Sequence, residues 1–457
     1  MSWNRPRVLL AIIVFMGCGA AAAAQQPNPL RLRLQDAIGL ALKNNLSVRV
    51  GGARVTEAEG TRERQFATLL PHASGNSLAN DQNRNLAILG VSVPGIPTVV
   101  GPFSYYDFRL SASETVINRQ AYHNWKASRD EEQATKLDYQ DARDLVIRQA
   151  AGLYLDAESA LAEVQAAESR VTTSEALEKL AKDQHDQGLA TAVDVVRSQV
   201  QLARDRQNLL VNQDNYQTSL LSLARFLGIQ PGTPLELAEQ LEFKHVEPLD
   251  LDQAVRAALE ARADYRSLAS QRESSVEQQK ASHARYYPTL SLNGDYGPQG
   301  RNFGTMPGIG EIQATLSVTL FDRDRNGEQK QLASRLEQVN DQIEDLERGI
   351  GEEIRKAALD LDSTEQQVTV TQAALDLAQQ ELKLAEDRFR NGVTDNIEVI
   401  TAQDTLAAAQ DDRITALARH ADALAALARA LGATEQNYQR YLGGASSQTS
   451  GNSVDSR

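Results

Sequence analysis

Apolar residues recur at alternating intervals of three and four along two long stretches, one on each side of Gly392. The stretch before Gly392 carries Leu361, Val368, Thr371, Leu375, Ala378, Leu382, Ala385 and Phe389, with Thr364 as a polar break. The stretch after it carries Ile414, Leu417, Ala421, Leu424, Ala428 and Leu431. This spacing is typical of a coiled-coil seam. Because only a short Asn-Gly turn separates the two stretches, the sequence predicts an antiparallel helical hairpin.

A different pattern, in which every second residue is apolar, marks candidate strands. It is clearest at residues 311–320 and recurs at residues 106–116, with weaker alternation at residues 73–78 and 289–296. Such alternation is typical of strands with one apolar and one wet face, so we expect four strands. The Gly- and Pro-rich loops between them are predicted at residues 79–105 and 297–310.

The chain matches itself when it is shifted along its own sequence. For residues 110–228 the shift is 204 residues, which places Gly188 on Gly392, and for residues 34–71 the shift is 217 residues. A repeat of this size means that one structural unit of about 200 residues occurs twice. We place the first unit at residues 25–229 and the second at residues 230–442.

The helix before each hairpin turn is predicted to be very long. Residues 119–187 and 323–391 each give about 69 residues, or ~100 Å at 1.5 Å per residue. Shorter helices are predicted at residues 34–68, 190–227, 251–285 and 394–431. Because two of the shorter helices placed end to end match one long helix, the lengths predict a wall of two continuous and two stacked helical columns.

The two ends of the chain differ from the repeats in composition. Residues 1–24 have the basic, apolar and small-residue pattern of a secretory signal peptide. The single cysteine, Cys18, lies in this segment, so a chain cut near Ala24 has no thiol for redox chemistry or metal binding. A second interpretation makes Cys18 an acylated lipid anchor. Residues 443–457 are rich in Ser and Gly, which predicts a disordered tail.

Composition argues against several classes of function. A net charge of -14 disfavours a nucleic-acid partner. No stretch after residue 24 has the roughly 18 apolar residues of a membrane-spanning helix. The six histidines have no paired spacing typical of a metal site, and no converging set of catalytic groups stands out. We therefore expect neither an enzyme nor a bound cofactor.

The number of strands has a consequence for assembly. Four short strands cannot close a barrel, and open strand edges do not persist in lipid because their backbone groups lack partners. Other chains must then supply the rest, and two copies would give eight strands whereas three would give twelve. An eight-stranded barrel is filled by its own side chains, while a larger one encloses water. The polar strand faces favour the larger barrel.

The sequence resembles the TolC-like outer-membrane efflux proteins over nearly all of the chain after the signal peptide. The motifs that carry this resemblance are Leu34-Gln35-Asp36-Ala37-Ile38, Ala41-Leu42-Lys43-Asn44-Asn45, Leu251-Asp252-Gln253-Ala254-Val255, Ala258-Leu259, Arg262-Ala263-Asp264, Tyr287-Pro288, and both Gly turns with Asp194 or Glu398 and Gln199 or Gln403 after them. The resemblance implies a mainly α fold with a small β part. It implies a homotrimer in which a twelve-stranded transmembrane β-barrel continues into a twelve-helix α-barrel of long antiparallel coiled-coil hairpins, with a mixed equatorial region from residues 228–248 and the C-terminal tail.

The resemblance also implies a function, which is passive export across the outer membrane. An inner-membrane pump of the RND or ABC type would deliver the substrate through a periplasmic adaptor, while the barrel contacts outer-membrane lipid. In this family the hairpin tips dock the adaptor and form the closed aperture. The docking residues carried over by position are Gly188, Leu189, Thr191, Asp194, Arg388, Gly392 and Val393. The aperture candidates are Phe389 and Glu398. Gln184-His185 stands where the family usually has Arg-Tyr, which favours docking over a gating salt bridge.

Each of these features also has a plain structural interpretation. A glycine at a hairpin tip adopts left-handed conformations freely. Asp194 and Glu398 lie at helix N-terminal turns, where an acidic residue suits the helix dipole in any case. The alternative for the whole chain is a periplasmic structural coiled coil or adaptor without a membrane barrel. It would explain the hairpins but not the four strands.

Overall fold

The computed structural model describes residues 29–435 and residue 438, apart from residues 91–93, 96, 231, 248 and 433. The predicted signal peptide with Cys18 and the predicted tail lie outside the described residues. The helices are α1 (Leu34–Asn44), α2 (Leu46–Ala67), α3 (Arg119–Asp186), α4 (Ala192–Phe226), α5 (Leu251–Ala261), α6 (Ala263–Ala284), α7 (Asp324–Arg390) and α8 (Asn396–Ala430), with a 3₁₀ turn at Leu86–Leu89. The strands are β1 (Leu30–Leu32), β2 (His72–Asn85), β3 (Val99–Ile117), β4 (Leu235–Leu237), β5 (Thr289–Gly300) and β6 (Gly308–Ser317).

The two long helices that the hydrophobic spacing predicts are confirmed. α3 contains 68 residues and α7 contains 67, so each is ~100 Å long. Their ends agree with the prediction to within a residue. The predicted seam of α7 packs inward, since Leu361, Val368, Leu382 and Phe389 are all buried.

Each long helix lies beside a column of two shorter helices. α2 and α4 contact α3, whereas α6 and α8 contact both α3 and α7. The order across the wall is therefore the α2/α4 column, then α3, then the α6/α8 column, then α7. This arrangement confirms the two continuous and two stacked columns. It leaves α2 and α4 at one flank of the wall and α7 at the other.

The helices predicted at residues 34–68 and 251–285 are wrong as single helices, because each is divided into two. The breaks fall at Asn45 and Arg262, where the backbone is extended with ψ of 135° and 126°. The Asn45 side chain accepts a hydrogen bond at 2.8 Å from the backbone N–H of the residue two positions further on. This bond caps α2. Arg262 is held by an ion pair with Asp264 at 2.6 Å. The two breaks occupy equivalent positions in the two repeats.

The four predicted strands form one antiparallel sheet in the order β2, β3, β5, β6. The loop predicted at residues 79–105 is wrong over much of its length, because β2 and β3 stay paired as far as Asn85 opposite Val99. The loop predicted at residues 297–310 is shorter for the same reason. β6 ends at Ser317, ahead of the predicted strand end. Gly and Pro residues, together with the polar residues at 80–85, gave the two predicted loops their composition.

The register of this sheet separates an apolar face from a polar one. One row across the sheet is Gly75, Leu110, Tyr296 and Gly310, and the neighbouring row is Ser74, Ser111, Asp295 and Glu311. Paired residues on adjacent strands share a face, so the alternation predicted from sequence is kept on β3, β5 and β6, whereas Leu78 of β2 lies opposite Asp107 on the polar face. On the polar face Arg109 pairs with Asp295 at 2.6 Å and with Asp107 at 3.0 Å.

A second, two-stranded sheet ties the start of the first repeat to the link between the repeats. β1 runs parallel to β4, with Leu30 opposite Leu235 and Leu32 opposite Leu237. The Tyr154 hydroxyl of α3 is buried and donates to the Leu32 carbonyl oxygen at 3.0 Å. This sheet was not predicted from the sequence, because strands of three residues are too short to display a period.

The core near this small sheet contains the carboxyl group of Glu158, a residue that is 6% exposed. Burial first, and then the neighbouring Glu239 carboxylate, raise the pKa of Glu158 to about 7. Glu239 is fixed in place because it accepts a hydrogen bond from the Leu34 backbone at 3.0 Å. The folded chain therefore binds this proton more tightly than the unfolded chain does.

We predict that Glu158→Gln flattens the dependence of stability on pH. The stabilisation by the protonated carboxyl is complete below about pH 4.5 and is lost as the pH rises to about 7. At 1.36 kcal/mol per pKa unit, the loss is about 3 kcal/mol. The free energy of unfolding, measured in guanidinium chloride from pH 4 to 8, should fall less steeply with rising pH in the variant than in the wild type. Glu168→Gln, on an exposed position of the same helix, is the control. Equal slopes in both variants would contradict the assignment.

Candidate functional site

The first hairpin tip joins α3 to α4 through a tight turn at Gly188. Gly188 has a φ of +74°, and the next residue, Leu189, donates its backbone N–H to the Gln184 carbonyl oxygen at 2.8 Å. Thr191 begins α4 in a reciprocal cap, because its backbone N–H donates to Asp194 Oδ2 at 2.9 Å and its hydroxyl accepts from the Asp194 backbone at 3.3 Å. Thr191 and Asp194 are thus committed to the turn itself.

The second tip joins α7 to α8 in the same way. Gly392 has a φ of +70°, and the Val393 backbone N–H donates to the Arg388 carbonyl oxygen at 2.9 Å. Asp395 caps α8. The Arg388 guanidinium and the Glu398 carboxylate, both partly exposed, form an ion pair at 2.9 Å. The two tips therefore have the same backbone but different charged groups.

An apolar cluster holds the two tips side by side. Its buried members are Leu177, Ala181, Leu382, Ala385, Phe389, Val399 and Ala402. Phe389 is only 2% exposed, so its side chain packs between the hairpins. That Phe389 contributes to an aperture stays a prediction.

Two buried amides bond one tip to the other. Gln184 donates from Nε2 to the Phe389 carbonyl oxygen at 3.0 Å, and Asn396 donates from Nδ2 to the Asp194 carbonyl oxygen at 2.6 Å. Asn396 is completely buried. Sequence analysis did not select Asn396. The signal that could have identified Asn396 is a difference between the repeats, because Ala192 occupies the equivalent position in the first repeat.

The ends of both tips expose apolar side chains at equivalent positions. Leu189 is 65% exposed and Val393 is 66% exposed. Val193 and Ile397, one helical turn further on, are also exposed. Of the residues predicted from sequence, Leu189, Val393, Arg388 and Glu398 are therefore accessible, whereas Asp194 and Phe389 are buried. The accessible set is suited to packing against another protein.

Over the described part of the chain, no three His, Cys, Asp or Glu side chains are placed to hold a metal ion. None of the described helices has both the length and the apolar character needed to cross a bilayer. What the tips offer is shape, exposed apolar groups and a few charges.

Comparison with known protein families gives one match that covers most of the chain. The model of the family described as outer membrane efflux protein matches residues 37–229 and 254–433. The two matched segments contain both hairpins and all four strands of the larger sheet.

Individual relatives agree with this match. The chain is 22% identical over 420 residues to the pyoverdine export outer membrane protein OpmQ of Pseudomonas aeruginosa, covering 90% of this chain and 87% of OpmQ. The crystal structure of the outer membrane protein VceC of Vibrio cholerae is similar with a TM-score of 0.75 at 19% identity, over 87% of this chain and 96% of VceC. The CmeC outer membrane channel of Campylobacter jejuni gives a TM-score of 0.75 at 16% identity, over 89% of both chains.

We predict that Asn396→Ala loosens the contact between the tips. Loss of its bond leaves the Asp194 carbonyl oxygen buried without that donor, at a cost of about 1–2 kcal/mol. Hydrogen exchange measured by mass spectrometry should then become about tenfold faster in peptides that span residues 184–200 and 385–400. Asn391→Ala is the control, because Asn391 bonds only within its own turn, to the Asp387 carbonyl oxygen at 2.7 Å. Equal exchange in the two variants would count against the bridging role.

Proposed function

Because this chain belongs to the outer membrane efflux protein family, we propose that it forms, as a homotrimer, the outer-membrane exit duct of a tripartite efflux or type I secretion system. Substrates would arrive from an inner-membrane pump of the RND or ABC type through a periplasmic adaptor. The duct itself is passive. Its polar sheet face lines the water-filled path, and its apolar face contacts outer-membrane lipid.

The observation that carries this proposal is the open four-stranded sheet. β2 and β6 each pair on one side only within the described chain. Unpaired backbone groups are too costly to leave in lipid, so other copies must cover both edges. Three copies give twelve strands, an allowed number for a bacterial outer-membrane barrel. The charged residues Asp107, Arg109, Asp295 and Glu311 on the polar face suit the larger, water-filled barrel.

The helical wall supports the same assembly from its two flanks. Both α4 and α7 expose apolar residues at intervals built from three and four. These residues are Val193, Val196, Val200, Leu210 and Leu221 on α4, and Leu359, Val370, Leu377 and Leu384 on α7. A coiled-coil stripe left in water is a surface for another helix. Because α4 and α7 lie at opposite flanks, α7 of one copy can pack against α4 of the next and so close a ring.

The alternative of a periplasmic coiled-coil protein without a barrel is disfavoured by the sheet. Its apolar face exposes Leu110, Tyr296, Ile312 and Leu316 to the surroundings. A contiguous apolar face of this kind is unusual on a protein surrounded by water and is expected of a lipid-facing barrel wall.

We further propose that the two hairpin tips dock the adaptor. Gly188, Leu189, Thr191 and Asp194 supply one tip, and Arg388, Gly392 and Val393 supply the other. The exposed Leu189 and Val393 side chains support this proposal, as does open space around both glycines. Thr191 and Asp194 would act by fixing the turn. Glu398, which is paired with Arg388, stays a candidate aperture residue.

We predict that Leu377→Glu prevents assembly. A carboxylate in the middle of a seam between copies must be desolvated without a partner, so trimer recovery should fall by more than about tenfold. Light scattering after gel filtration measures the trimer, and planar-bilayer recording measures its conductance. Gln379→Glu places the same charge on another exposed face of α7 and should leave both unchanged. Wild-type protein recovered as a monomer from the soluble periplasmic fraction would contradict the proposed channel.

We predict that Gly392→Trp keeps the trimer but abolishes crosslinking to the adaptor. A Cβ at Gly392 meets nothing within 4 Å, so the new side chain projects into the space that the adaptor would occupy. The positive φ costs about 1 kcal/mol for any other residue. Gly392→Ala shares this cost without the bulk and should crosslink normally. Normal crosslinking by Gly392→Trp would remove the tip from the docking surface.

A further inference from the structure

A small polar cavity lies between the two hairpins, on the side of the apolar tip cluster away from the tips. It has a volume of about 40 Å³. Its walls come from all four helices of the hairpins, with Ser174 on α3, Asp205 on α4, Leu382 on α7 and Gln403 on α8. Gln403 follows Gly392 by 11 positions in the sequence, which is roughly 15 Å along the helix.

Gln403 is the informative residue of this cavity. Only 9% of the residue is exposed, and it borders the cavity. Neither Nε2 nor Oε1 of its amide has a hydrogen-bond partner among the described residues. A buried amide left in this state is costly. It needs a partner that both accepts a hydrogen bond and donates one, which a water molecule does.

Other polar groups around the cavity can hold the same water. Gln201 donates from Nε2 to Asp205 at 3.4 Å and to Asp404 at 3.3 Å, both of which are long for such bonds. The Ser174 hydroxyl donates to the other Asp205 oxygen. Asp404 is exposed, so the cavity has a polar route to solvent. At ~10–15 Å³ for each water molecule, the cavity has room for about three or four.

The first repeat supplies a natural comparison. Gln199 occupies the position equivalent to Gln403, but it is exposed and donates to Glu178 at 3.3 Å. The same residue type at the same place in the two repeats thus meets solvent in one and the interior in the other. The buried amide is therefore a property of the junction between the hairpins, not of the hairpin as such.

We propose that this cavity is a hydrated polar layer, and that it is the boundary at which the tips move relative to the rest of the helical wall. Apolar contacts are lost when helices separate, whereas polar groups already bonded to water can change partners. The cluster around Phe389 would move as one unit below the layer, and the wall above it would stay closed. The mobility rests on the proposed function and on the closed aperture that the family resemblance implies at the tips, because such an aperture has to open before a substrate can pass.

The first test is a structure of the wild-type trimer at a resolution that shows ordered water. We expect at least one water molecule within hydrogen-bond distance of Gln403 Nε2 or Oε1. Direct bonds from the Gln403 amide to protein groups, with no water in the cavity, would overturn the proposal. This result does not depend on conductance or on adaptor binding, so it separates failure of the layer from failure of the proposed channel.

The second test replaces the amide by an apolar side chain of the same length. Gln403→Met should remove the water and extend the apolar seam, because a polar residue in such a seam lowers its stability. Hydrogen exchange in peptides spanning residues 177–190 and 382–403 should slow about five- to tenfold. Gln199→Met, the equivalent change in the first repeat, should leave exchange unaltered. Unchanged or faster exchange in Gln403→Met would overturn the proposal, and if that variant fails to assemble, the wild-type structure decides.

Discussion

The requirement that backbone groups be paired in lipid governs the rest of this molecule. A sheet with two open edges and one apolar face cannot satisfy that requirement within one chain. The helical wall has the matching property, since its two flanks carry exposed apolar stripes on α4 and α7. The sheet and the helical wall therefore both end in edges that lack a neighbour within the described chain. Repetition of the chain around an axis would complete both at once, which is why the proposed ring-shaped assembly accounts for the sheet and the wall together.

Duplication supplied two copies of one unit, and the differences between them hold the tips together. Asn396 reaches across to the Asp194 carbonyl oxygen, while its counterpart in the first repeat is Ala192. Gln184 reaches in the opposite direction, to the Phe389 carbonyl oxygen. Its own counterpart in the second repeat is Arg388, so both bonds come from residues that differ between the repeats. The two tips thus share the same backbone turn but differ in the side chains that bond one tip to the other.

Sequence patterns predicted the features that depend on many residues. The ends of α3 and α7 were predicted to within a residue, because each helix lies between a strand pattern and a glycine turn that recur at equivalent positions in the two repeats. Features set by single residues were missed, as at the helix break at Asn45 and in the three-residue strand β1. At the tips, the sequence identified the turns and placed Phe389 in the apolar seam, but it could not tell that Phe389 packs between the two hairpins. That outcome depends on which hairpin lies beside it.

The pairing of β3 with β5 joins the two repeats inside the chain. In the proposed trimer, β6 of one copy would meet β2 of the next in the same relation, so the ring would contain six similar junctions although only three chains build it. These junctions would be alike in geometry, but only some of them would join strands of the same chain. Three of the six would lie within single polypeptides, one in each chain, and could not be lost by dilution, which would halve the number of contacts that assembly has to find. The symmetry is threefold in composition and close to sixfold in shape.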